Sequence, residues 1–194
     1  MTTKPAPAPH APHPAPSRRR PARALLAGGV VLLVAAFTQG CASGRVMSET
    51  EFRGHMRQTE AAGQDAVRQL GMDPAATVDR RSMDDSSCKD DLGLDSEGVT
   101  RDQPSVTWAP RFASPAAYEA ALARLRAAWS ARGLEVEDVP APATGRPGSG
   151  LRGIRTTDGH AVELSLRPDW YSGDPVLRAD GGCVRHLGYL AGWE

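Results

Sequence analysis

An α+β domain, with two helices packed on one face of a small antiparallel sheet of about four strands, follows from three observations on the sequence. Two segments, beginning near Ser48 and Ser114, repeat apolar residues at helical spacing behind a residue suited to cap a helix. Beyond Gly133 the spacing changes to alternation, the mark of half-buried strands. The resulting order is helix, strand, helix, strand, hairpin, strand, in which helices and strands segregate into two layers.

The first helix starts at Ser48, with Glu51 three residues on, so that each side chain can bond the other's backbone N–H in a capping box. Phe52, Met56, Thr59, Ala66 and Leu70 fall along one face, and Gly71 with Pro74 ends the run. Gly54 and Gly63 oppose the helix, each by about 1 kcal/mol relative to alanine. The stretch PSVTWAP then reads as a short strand. In the second helix Ser114 is the cap, Pro115 suits the first turn, Gly133 follows the end, and Tyr118, Leu122, Leu125 and Trp129 form the apolar stripe. Arg124, Arg126 and Arg132 lie off that stripe, on a solvated side.

In LEVEDV, Leu134 and Val136 face one way and Glu135 and Glu137 the other. PAPATGRPGSG holds proline and glycine too densely for regular structure and reads as a mobile loop. The segment LRGIRTTDGHAVELSLRP forms a hairpin. A three-residue loop with Gly159 in the left-handed region would oppose Ile154 to Val162 and keep the apolar residues on one face. A last strand in PVLRADGGCV brings Cys183 to the sheet, and the tail HLGYLAGWE has no readable period.

Charge is distributed unevenly along the chain. The 23 basic and 23 acidic residues balance, yet every carboxylate lies after Cys41, while Lys4, Arg18, Arg19, Arg20 and Arg23 precede it. After these comes an uncharged run from Ala24 to Phe37, shorter than the ~20 residues needed to cross a bilayer. A basic cluster, an apolar segment and a stretch of small and polar residues are the parts of a signal peptide, here residues 1–40. Its start, MTTKPAPAPHAPHPAPS, is low-complexity and expected to be disordered; His10 and His13 belong to it and are not ligands. The run SRRRPA leaves the export route open between the general secretory and twin-arginine systems.

The residues TQGC, Thr38 to Cys41, resemble the lipobox of bacterial lipoproteins in Gly40 and Cys41, though Thr38 and Gln39 stand where leucine and a small residue are usual. The resemblance implies a diacylglyceryl thioether on Cys41, cleavage before it, and a chain anchored to the outer face of the cell membrane. Residues 41–47 then form a tether, and 48–194 a single α+β domain. If Cys41 carries lipid, Cys88 and Cys183 remain, and the exported compartment favours a disulfide between them. Signal, cysteines, layout and richness in alanine, arginine, glycine and proline together resemble small actinobacterial lipoproteins of uncharacterised function. The resemblance spans Cys41 to about Val184 and brings no catalytic residues with it.

Composition and motifs exclude several chemistries. From Cys41 onward acidic residues outnumber basic ones by five, which disfavours nucleic acid as a partner. Neither Cys88 nor Cys183 has a second cysteine or histidine at zinc spacing, and His186 beside Cys183 is alone, so no metal or other cofactor is expected. DDSSCKDDLGLDSEG is rich in carboxylates but lacks the EF-hand spacing and its glycine, so it reads as a solvated loop around the disulfide. His55, His160 and His186 are isolated in sequence, and neither a nucleophile elbow nor a phosphate loop is present. Trp170 and Tyr171, in the turn RPDWYSGDP, are the candidate contacts for a partner, since exposed rings stack on sugars or anchor interfaces; closure of the sheet end is the competing role. The expectation is a membrane-anchored extracytoplasmic binding or interaction module for an envelope protein or glycan; an extracytoplasmic enzyme with an unrecognised site, or a secreted protein without lipid, is the alternative.

Overall fold

A computed structural model describes residues 45–83, 88, 95 and 97–188. The signal segment, Cys41, most of the acidic stretch 84–96 and the tail 189–194 lie outside the described residues. Three helices, α1 (Glu49–Gln69), α2 (Pro74–Thr77) and α3 (Pro115–Ala131), accompany eight strands: β1 (Val78–Ser82), β2 (Val99–Asp102), β3 (Ser105–Trp108), β4 (Val136–Val139), β5 (Gly153–Thr157), β6 (Glu163–Pro168), β7 (Pro175–Asp180) and β8 (Val184–Leu187). The fold is α+β. Six strands form an antiparallel sheet in the order β1-β3-β7-β6-β5-β4, and β2 pairs with β8 in a second, two-stranded sheet. The strands read from sequence correspond to β3 to β7, five where about four were expected, and β1, β2 and β8 bring the number to eight.

Both long helices begin where their caps predict. Ser48 accepts from the Glu51 backbone while the Glu51 carboxylate accepts from the Ser48 N–H, and Ser114 accepts from Ala117. Their apolar stripes bury Ala66, Val67, Leu125 and Trp129 against Val106, Trp108, Ile154, Leu164, Leu166, Leu177 and Ala179 of the sheet, in one continuous core. Gly63 is required rather than merely tolerated: a Cβ there would stand 2.2 Å from the Trp108 ring. The arginines off the stripe tie α3 to its surroundings. Arg124 donates to the carbonyl that ends α1 (Leu70), Arg132 pairs with Asp65, and Arg126 with Asp138.

The hairpin register differs from expectation. Ile154 faces Leu166, not Val162, and the strands part after Thr157↔Glu163, leaving a five-residue loop, 158–162. Asp158 causes this: its Oδ1 accepts from the His160 and Val162 N–H groups, while its own N–H donates to the Val162 carbonyl. Ala161, not Gly159, takes positive φ, at 60°. The inward set survives because this register keeps the same parity, so Ile154, Val162, Leu164 and Leu166 all stay buried.

The predicted disulfide joins Cys88 to Cys183 just beyond β7. At that end lies a second small core, in which Phe52 and Met56 of α1 meet Met47, Met83 and Val184. The chain enters here: Met47 donates to the Arg185 carbonyl at 2.8 Å and accepts from the Leu187 N–H at 2.9 Å. The margins of the large sheet are short and charged. On β1, Asp79, Arg80 and Arg81 are exposed next to a register shift, and on β4 Glu137 and Asp138 are exposed ahead of Pro140.

Candidate functional site

The end of the sheet remote from the disulfide is built from three connections: 109–114 after β3, 140–152 before β5, and 169–174 between β6 and β7. Asp169 organises the last of these. Its Oδ1 accepts from the N–H groups of Tyr171 and Ser172, both at 2.9 Å, its carbonyl accepts from Gly173, and its N–H donates to Asp174. Those backbone donors, Ser172 foremost, hold the carboxyl below the usual aspartate range. Gly173, at φ +76°, abuts the neighbouring connection so closely that a Cβ would sit 2.2 Å from the Gly148 nitrogen. Pinned by its carboxylate and by that contact, the turn holds Trp170 65% exposed and Tyr171 87% exposed. The rings do not close the sheet end; they stand in solvent. Arg146 places its guanidinium 5.8 Å from the Trp170 ring centroid, within cation–π range.

Beside the turn opens a cleft of about 630 Å³ whose walls include Arg111, Phe112, Tyr118, Leu151 and Asp174. Its floor is fixed by Tyr118, which donates to the Arg152 carbonyl at 2.6 Å and meets Phe112 edge to face at 5.5 Å. Burial keeps the Tyr118 hydroxyl protonated beyond the ordinary tyrosine range. Three cations approach this end: Arg111 in the wall, Arg146 on Trp170, and Arg80 near enough to Asp169 to favour its ionised form. Among the described residues none of the three is in an ion pair.

No protein-family model, curated protein or solved structure matches the chain. The site therefore rests on its own geometry.

The other candidates distribute as follows. Cys41 lies outside the described residues. Cys88 is buried and bonded to Cys183. His160 is exposed on the β5–β6 loop, where its backbone, not its ring, bonds Asp158. His55 is buried and bonds the Gly181 carbonyl through Nε2 at 2.7 Å. Sequence reading missed one pairing: His186 Nε2 lies 2.8 Å from the Asp102 carboxylate, 84 residues away. That ring is fully buried and stacked on Phe52 at 3.9 Å, while the Asp102 side chain stays partly exposed, so the pair joins β2 to β8 and α1. Only the pairing of two short strands brings it together, and no local pattern announces it. Among the described residues no three histidine, cysteine or acidic side chains converge to hold an ion, and no helix is long and apolar enough to cross a membrane.

Proposed function

We propose that the chain is a lipoprotein anchored through Cys41 to the outer face of the cell membrane, and that its domain acts as a binding module in the envelope. The observation that carries the binding role is the braced turn presenting Trp170 and Tyr171 to solvent beside a cleft. Two large rings left in solvent forgo the ~1.5–3 kcal/mol that burying each contributes, and burial in a partner's contact supplies it. The anchor is supported by the place of Cys41, after an uncharged run and Gly40.

Two measurements test the halves separately. Metabolic labelling with a fatty acid and intact mass of the mature chain should report lipid on Cys41, lost in Cys41→Ala; a mature protein carrying unmodified Cys41 overturns the anchor. Affinity recovery of partners from solubilised envelopes should fall at least tenfold in Trp170→Ala/Tyr171→Ala while the melting temperature holds. Unchanged recovery by that folded variant overturns the role of the turn.

A further inference from the structure

Resting on the binding-module reading, we infer that the Trp170–Tyr171 end of the sheet takes an acidic polysaccharide of the envelope.

The chemistry of the surface selects the partner. A sugar ring offers an apolar C–H face to an indole or phenol, and its carboxylate or phosphate substituents suit guanidinium forks. Both are provided here: two exposed rings, Arg146 over Trp170, Arg111 in the wall of the adjoining cleft, Arg80 near Asp169, and exposed Arg167 two residues before it. Of the nearby carboxylates, that of Asp169 is engaged by backbone donors and that of Glu119 by Arg152, while Asp174 is exposed in the cleft wall. The sign is opposite to that of the chain after Cys41, which carries five excess negative charges. A protein partner is less well matched. Stable protein interfaces cover roughly 800 Å² per side with an apolar centre, yet among the described residues the exposed large apolar side chains are Trp170, Tyr171 and Leu187 alone. The adjoining cleft of about 630 Å³ is within the roughly 300–1,000 Å³ usual for small-ligand sites, enough to receive part of a glycan chain.

The test uses the mature lipidated protein in detergent, with polygalacturonate as the acidic glycan. Dextran, polyglutamate, oligo-dT and anionic lipid vesicles are the comparisons. Polygalacturonate should bind at least tenfold more tightly than dextran or polyglutamate. Trp170→Ala/Tyr171→Ala should lose at least tenfold, and Arg146→Gln about fivefold with a shallower salt dependence. Tyr171→Ser, at an 87% exposed position, serves if the double variant does not fold. Absence of polygalacturonate binding, equal binding of polyglutamate, or preference for oligo-dT or vesicles overturns the inference. Partner recovery that depends on the rings without polygalacturonate binding leaves the binding module standing and removes the glycan; loss of ring dependence in both assays removes both.

Discussion

Two glycines in one helix have opposite roles, and the difference lies in what each faces. At Gly54 of α1 a Cβ meets nothing within 4 Å, whereas at Gly63 it would enter the Trp108 ring and come within 2.9 Å of the Ala179 Cβ. Gly54→Ala should therefore stabilise the fold by up to about 1 kcal/mol, the ordinary helix preference for alanine. Gly63→Ala should destabilise it by about 1–3 kcal/mol through overpacking, despite the same gain in propensity. Chemical denaturation of the two variants checks the sign, and a stabilised Gly63→Ala would contradict the close approach of α1 to β3. From sequence the two positions look alike, because the contact that separates them spans 45 residues.

At the scale of elements, caps and apolar stripes were legible because both are local. Ser48, Glu51, Ser114, Pro115 and the stripe from Tyr118 to Trp129 act within a few residues of one another, and the structure uses each as read. Missing were β1, β2 and β8. The exposed charges of β1 give no alternation, and β2 and β8 are four residues each, meaningful only when paired. The β5–β6 register was misread because a carboxylate, Asp158, outweighed the glycine after it. Asp169 does the same service in the ring-bearing turn, with a consequence for pH. Its carboxyl is held below the ordinary aspartate value of 3.8, so the folded turn gains from ionisation. That contribution is full above the unfolded value and is lost as the pH falls through the lower, folded one. The Tyr171 and Ser172 amide signals in NMR spectra should hold steady from neutral pH to about 4 and move below it. Asp169→Ala should abolish that transition and cost about 1–2 kcal/mol, having left two N–H groups without their acceptor. An unaltered titration in the variant would assign the transition elsewhere.

For the molecule as a whole, the disulfide closes a loop of 95 residues that includes β2 to β7 and α3. Closing so long a loop should stabilise the fold by about 4–5 kcal/mol in the chain-entropy picture, a large share of what domains of this size possess. Cys88→Ser/Cys183→Ser should lower the urea midpoint accordingly, and reduction of the native protein should reproduce it. A loss under about 1 kcal/mol would mean that the unfolded chain is already compact.

The margins of the six-stranded sheet have a consequence for life in a crowd. Molecules confined to a surface meet each other far more often than the same number free in a volume, and a bare strand edge is a template on which another copy can grow. Here the outer strands are four and five residues long, with Glu137 and Asp138 exposed on one and Asp79, Arg80 and Arg81 on the other. Pairing β4 with β4 of another copy would set the carboxylates of Glu137 and Asp138 opposite one another. Glu137→Val/Asp138→Thr should remove that barrier on the β4 side, seen as light scattering that rises with concentration while the parent protein stays clear. Growth from the β4 margin onto its like is thus checked by side chains that contribute little to the core, and two concentrated copies do not become one another's next strand through that edge.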